Sequence, residues 1–160
     1  MAEQIKVKIS DYRITKPLDS LITIGLGSCV GIAIYEPISK IGGLSHIMLP
    51  DSTAFKDANK SEKFADLAIP QMTEEIKKVS GKVKLVAKIS GGASMFQLSK
   101  EPPSGTIGAR NVAAVKNSLE RMGIELLGEH TGGNMGRTMS VDLETFDVTV
   151  RMVNREIIML

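Results

Sequence analysis

The amino-acid sequence predicts an α+β fold in a single domain spanning residues 1–160. Three observations carry this. Eight short segments rich in Ile, Val and Leu have the pattern of strands, and only two segments have the spacing of helices. Several neighbouring strands are joined by turns short enough for hairpins, which argues for mostly antiparallel pairing and against a doubly wound sheet. The 160 residues are 42% hydrophobic and 24% charged, ordinary values for a soluble domain with one core. No repeat, low-complexity tract or interdomain linker interrupts the chain.

Taken in order, Gln4–Ile9 alternates apolar and polar residues and reads as an edge strand. The polar segment Asp11–Ser20, with Pro17, reads as a connection. Leu21–Gly25 and Val30–Glu36 are strands, the second with Val30, Ile32 and Ile34 on one face. Ile41–Leu49 is a third, and Gly42-Gly43 marks a bulge or a close backbone approach. Ser61–Val79 has helical spacing at Phe64, Leu67, Ala68, Met72, Ile76 and Val79. Ser61 is its expected N-cap, Gly81 lies just past its end, and Pro70 predicts a kink or break near Ile69. Val83–Ile89 is a strand, and Gln97–Thr106 is a polar loop. Gly108–Met122 is the second helix, with Val112, Val115, Leu119 and Met122 buried. Ile124–Glu129 is a strand, and Thr138–Leu143 with Phe146–Val153 forms a hairpin.

Composition removes several functional classes. The formal charge is +2, the two halves are nearly balanced, and no basic stripe with interleaved aromatics exists, so nucleic-acid binding is not expected. The lysines at 82, 84 and 88 read as a solvated strand face. The longest uncharged run, positions 20–35, is too short and too glycine-rich for a membrane helix. The N-terminus lacks the apolar core of a signal peptide. One cysteine forms no internal disulfide, which fits a reducing cytoplasm. One cysteine and two separated histidines make a poor metal site, and no cofactor is expected. The glycines near Gly25 miss the dinucleotide-binding spacing.

The chemistry concentrates in Leu21–Leu49, which holds Cys29 and His46. A turn centred near Ile38 pairs positions whose numbers sum to about 75 to 77. Cys29 and His46 then lie opposite each other or nearly so, within reach for a thiol to pass its proton to an imidazole. Gly27 and Ser28 precede the cysteine in a turn whose free N–H groups suit an oxyanion. Thr23 offers a hydroxyl to orient the imidazole through its second nitrogen. The plainer reading is that Cys29 is a small buried apolar residue, His46 a satisfied core histidine and Thr23 a strand former. A non-catalytic binding module is then the alternative. A second alternative is anion binding by Gly132-Gly-Asn-Met-Gly-Arg137, through backbone amides and Arg137; more often such a loop is a tight connection. Met48, Met95 and Met135 are core fillers or part of a protein-binding surface.

Five segments together resemble the bacterial chemoreceptor glutamine deamidase family, CheD. They are Gly25-Leu-Gly-Ser-Cys-Val-Gly31, Gly42-Gly-Leu-Ser-His-Ile-Met-Leu-Pro50, Ala87-Lys-Ile-Ser-Gly-Gly-Ala93 with Met95-Phe96, Ile107-Gly-Ala-Arg-Asn111 and Gly132–Arg137. The resemblance implies Cys29 as nucleophile, His46 as base and Thr23 as orienter. Gly91, Gly92, Asn134 and Arg137 fall on a possible substrate rim. It implies a fold similar to deamidating bacterial toxins: stacked, mainly antiparallel sheets forming a sandwich flanked by the helices. It implies a cytoplasmic enzyme that hydrolyses glutamine side chains of methyl-accepting chemoreceptors, with glutamyl methyl esters as a further substrate. The chemotaxis phosphatase CheC is the implied regulatory partner. The chain departs from the family pattern at Ser90, at Glu129-His130-Thr131 and at Phe146-Asp147, none of them in the Cys–His–Thr set.

Overall fold

The computed structural model describes residues 2–55, 60–94 and 105–160. Among these, ten strands form two five-stranded sheets and two α-helices cover one of them. The first sheet runs in the order β1 (Gln4–Lys6), β3 (Ser20–Leu26), β8 (Arg137–Asp142), β9 (Val148–Met152), β10 (Ile157–Met159). The second runs β2 (Asp11–Thr15), β5 (Ile41–Ile47), β4 (Val30–Glu36), β6 (Val86–Gly91), β7 (Glu125–Thr131). Only β1–β3 and β6–β7 pair in parallel; the fold is α+β with mainly antiparallel sheets, as the sequence predicts.

Alternation along β4 builds both cores. Val30, Ile32 and Ile34 face α1 (Ala65–Ser80) and α2 (Ile107–Arg121), meeting Ile69, Met72, Ile76, Val115 and Leu119. Ala33 and Tyr35 face the opposite way, into a second core between the sheets with Leu21, Leu44, Met139 and Val141. Every residue of β4 is buried. Its boundaries coincide with those read from the sequence, because a central strand buried on both faces is a near-continuous apolar run.

Other expectations are corrected. Asp11–Thr15 is not a connection but edge strand β2, paired along β5 from Asp11↔His46 to Thr15↔Gly42. β10, at an edge of the first sheet, carries no alternation long enough to read. Gly42-Gly43 makes no bulge: the β4–β5 register is unbroken from Val30↔Ile47 to Glu36↔Ile41. The glycines are there for close approach. A Cβ at Gly42 would sit 2.9 Å from the Ile34 carbonyl oxygen, and one at Gly43 2.9 Å from that of Arg13. Ser61 opens a 3-10 turn, Ser61–Lys63, instead of capping α1, which starts after Phe64 with no side-chain cap. Nor does Pro70 break α1; it sits near the helix start and costs one i→i−4 bond. Gly81, at φ 70°, ends the helix in the left-handed conformation. Val79 is exposed. Lys88 is not a solvated lysine: its ammonium donates to the carbonyls of Phe146 and Leu160, both at 2.7 Å, and lies over the Phe146 ring. Met95, Phe96 and most of the Gln97–Thr106 loop lie outside the described residues. No helix among the described residues is long and apolar enough to cross a membrane.

Candidate active site

The chain passes from the first sheet to the second through the turn that joins β3 to β4, and Cys29 is the last residue of that turn. It points into the core between the sheets, with Leu26, Ala33 and Met139. His46 comes from β5, opposite Gly31. Paired residues share a face and so do residues two apart, so Cys29 lies diagonal to His46 on the same face. The register sum is 77, the upper end of the range expected, and Gly31 instead of Cys29 takes the directly opposed position. The gap left by Gly31 is needed: a Cβ there would meet Met139 Sδ at 2.7 Å, and Thr23 Cγ2 is 3.6 Å away.

Thr23 stands on β3 in the facing sheet. Its Oγ1 lies 2.7 Å from His46 Nδ1 and 2.7 Å from the Val7 carbonyl oxygen. Thr23 and His46 are therefore joined across the two sheets, while no hydrogen bond links the Cys29 thiol to His46 Nε2. Thr23 is fully buried, His46 is 1% exposed and Cys29 8%. His46 Nε2 is buried without a hydrogen-bond partner. Buried polar atoms left unpaired are rare and costly; the Ser45 and Thr73 hydroxyls and the Asn111 amide oxygen are the others among the described residues.

Burial sets the charge states. It pushes the His46 imidazole down to about 4, so the ring is neutral near pH 7. It raises the Cys29 thiol above its ordinary value, only partly offset by the residue's own N–H. Among the described residues no cation opposes this rise. The resting pair is thus a neutral thiol and a neutral imidazole, not a preformed thiolate.

The backbone around Cys29 is tightly held. The carbonyl of Gly27 accepts from Ala93 N, that of Ser28 from Asn111 Nδ2, and that of Cys29 from Gly92 N. Asn111 Nδ2 also donates to the Met48 carbonyl at 2.9 Å, so one amide clamps the Cys29 turn to the end of the His46 strand. The sequence reading placed Asn111 in a family motif without a role; its contacts, 63 and 83 residues away in the chain, leave no local signal. The Gly27 N–H donates to Gly25, so it is not free for an oxyanion. Among the described residues, the N–H groups of Ser28 and Cys29 meet no acceptor in another residue.

The two turns of the expected substrate rim lie side by side, the Gly132 N–H donating to the Gly91 carbonyl, but of the four rim residues only Asn134 is exposed. Gly91 and Gly92 are buried behind the Cys29 turn. A Cβ at Gly91 would fall 2.3 Å from the Cys29 carbonyl oxygen, at φ 115°. Asn134 is exposed on the loop after β7. Arg137 is 3% exposed and turned inward, its guanidinium donating to the carbonyls of His130, Gly132 and Met135 and to His130 Nδ1. That arginine is a staple for its own loop, and the anion site loses the cation it needed. No cluster of three or more metal-ligating side chains occurs among the described residues.

Fold and site together define a class: a two-sheet α+β domain with a buried histidine bonded to a threonine of the facing sheet and a buried cysteine in the turn between the sheets. The family model for CheD, described as chemotactic sensory transduction, matches residues 48–152. That match begins two residues after His46. The chain is 50% identical over 151 residues to a protein of Desulforamulus reducens, covering 94% of this chain and 91% of that one. It is 49% identical to one from Clostridium botulinum strain Eklund 17B, with coverages of 94% and 93%, and 50% identical to one from Clostridium novyi, with 94% of each. All three are named probable chemoreceptor glutamine deamidase CheD. The chain belongs to the CheD family.

Proposed function

We propose that this protein is a cytoplasmic chemoreceptor glutamine deamidase that works through a Cys29 thioester. The names of relatives about half identical over almost the whole chain support the substrate. The mechanism is supported chiefly by the unpartnered Nε2 of His46, on the same face as Cys29, with Nδ1 held by Thr23.

Substrate entry brings a glutamine side chain to Cys29. The thiol gives its proton to His46 Nε2 as the sulfur attacks the amide carbon. The carbonyl oxygen takes up the negative charge, and the N–H groups of Ser28 and Cys29 are the donors for it. Collapse of the tetrahedral adduct breaks the C–N bond, and His46 passes its proton to the departing ammonia. Water then attacks the thioester while His46 accepts one of its protons. The second collapse releases glutamate and returns the proton to sulfur. A glutamyl methyl ester follows the same path with methanol as the leaving group. The resemblance further implies CheC as the regulatory partner, competing with receptor for the same surface.

The test is ammonia release from a receptor cytoplasmic fragment, wild type against Cys29→Ala. Steady release by wild type and none by the variant is expected. Equal release by both, or none by wild type, overturns the reading.

A further inference from the structure

The Thr23 hydroxyl has one proton and two neighbours at 2.7 Å. The Val7 carbonyl oxygen is an acceptor only, so the bond between them needs the hydroxyl proton. That leaves Thr23 Oγ1 with lone pairs alone toward His46. Nδ1 must then carry a proton and donate it. A neutral imidazole with Nδ1–H has a bare lone pair on Nε2, the form a base requires. Were the hydroxyl to turn toward Nδ1 instead, its oxygen would face the Val7 oxygen lone pair to lone pair. Nε2–H would then point into a buried space without an acceptor.

We propose that the main-chain carbonyl of Val7 is a positioning group for the reaction: by holding the Thr23 hydroxyl proton it fixes His46 in the tautomer whose Nε2 is free to accept. The catalytic part of this rests on His46 being the base in the deamidase reading; the tautomer itself does not.

The placement of Val7 fits the role. It is 1% exposed, although it follows a three-residue edge strand. Its own N–H donates to the Ile22 carbonyl at 2.8 Å, one residue before Thr23, which sets the distance between its carbonyl and the Thr23 side chain. The strand is fastened at its start as well. Ser20 N donates to the Glu3 carbonyl, and the Asp19 carboxylate accepts from Glu3 N and from the Thr15 hydroxyl. A short N-terminal strand, of the kind usually free to fray, is thereby made part of the site.

The test changes one main-chain group in the full chain. Cys29 is the only cysteine, so a synthetic 1–28 thioester joins an expressed 29–160 segment at the native residue. In one protein the Val7–Lys8 amide is replaced by an ester, which keeps the shape and weakens the carbonyl as an acceptor. In the control, the ester replaces the Lys8–Ile9 amide, whose carbonyl has no partner in the site. The readouts are the ¹⁵N resonances of the His46 ring near pH 7 and kcat for ammonia release. Loss of one neutral hydrogen bond corresponds to about a fivefold change in an equilibrium. The Val7 ester is therefore expected to shift the tautomer equilibrium about fivefold toward Nε2–H and to lower kcat in proportion to the Nδ1–H fraction lost, with KM unchanged. The control ester should match wild type in both. Val7 and control esters with the same ring spectrum overturn the proposal. If no form releases ammonia, the deamidase reading fails, and the ring spectra still decide the tautomer.

Discussion

Two glycine-rich turns carry the reactive-looking side chains of this protein, and they are finished in opposite ways. In the Cys29 turn the backbone is satisfied and the side chains are not. Three successive carbonyls are taken by Ala93, Asn111 and Gly92, while among the described residues the thiol and His46 Nε2 have no hydrogen-bond partner from another residue. In the Gly132–Arg137 turn the side chains are consumed by the backbone. Arg137 spends its donors on three carbonyls and a histidine nitrogen around it. From sequence the two look alike: glycines, a polar residue, a candidate ligand group. The distinction lies in which atoms are left unpaired in the folded chain. A fully paired group such as the Arg137 guanidinium holds structure, whereas the unpaired His46 Nε2 retains a free site for a proton.

The largest contrast is expected between Cys29→Ala and Arg137→Ala. Loss of the nucleophile should cut ammonia release by about 10⁴-fold or more. It should leave urea stability within about 1 kcal/mol, since a small side chain is exchanged for a slightly smaller one. Arg137→Ala should do the reverse. Removing charge-assisted donors from buried carbonyls is expected to cost about 3 kcal/mol. The rate per folded molecule should stay within a factor of about three of wild type, because no Arg137 donor reaches the Cys29 turn. An Arg137 variant that folds normally and loses activity would dissolve the contrast.

Acid separates the two histidines next. Burial holds the folded His46 pKa at about 4, below the ordinary value of 6.5. The unfolded chain therefore binds this proton first, and stability is lost as pH falls below about 6.5. By pH 5 the loss attributable to His46 is about 2 kcal/mol, and it levels off below the folded pKa. Urea midpoints measured from pH 7 to 4 should show this slope in wild type and much less of it in His46→Gln. His130, half-buried against Arg137, is shifted in the same direction by burial and then by the guanidinium charge. Its replacement by Gln should remove a smaller part of the slope. The rate should also hold steady below pH 6, where an unperturbed histidine base would already be failing.

What was readable in advance follows from how local the cause is. The bounds of β4 were readable because burial on both faces writes an apolar run into seven consecutive residues. Strand β2 was not, because Asp11, Arg13 and Thr15 alternate with only Tyr12 and Ile14, and its burial comes from β5 and α1. Cys29 and His46 were traceable to one face within two residues of register, since a hairpin ties sequence separation to geometry. Thr23 stood out only as a hydroxyl on an apolar strand, and the family resemblance strengthened it; its approach to His46 crosses from one sheet to the other. Val7 and Asn111 were unreadable as parts of the site. Each takes part in a bond between a side chain and a backbone carbonyl distant in sequence, and no pattern of side chains encodes that.

Asn111 supplies the smallest and most discriminating test. It does for the Cys29 turn what Arg137 does for the other: a buried side-chain donor collects backbone carbonyls, here those of Ser28 and Met48 at 2.9 Å each. If clamping were only structural, Asn111→Leu, close in shape and without donors, would behave as a weaker Arg137→Ala. The stability loss should be about 1–2 kcal/mol, since two carbonyls lose a neutral donor. The difference should appear in the rate. Met48 lies two residues beyond His46 and Ser28 just before Cys29, so the clamp sets where the nucleophile stands relative to the base. Releasing it should lower kcat about tenfold while leaving KM nearly unchanged, because small displacements of reacting groups weigh on the transition state more than on binding. The ring spectrum of His46 should not move, since Thr23 and Val7 hold the imidazole from the opposite sheet. A drop in kcat without a tautomer change would assign Asn111 to the nucleophile's placement and Val7 to the base's proton. An Asn111→Leu protein with wild-type kcat would reduce the clamp to the same structural role as Arg137.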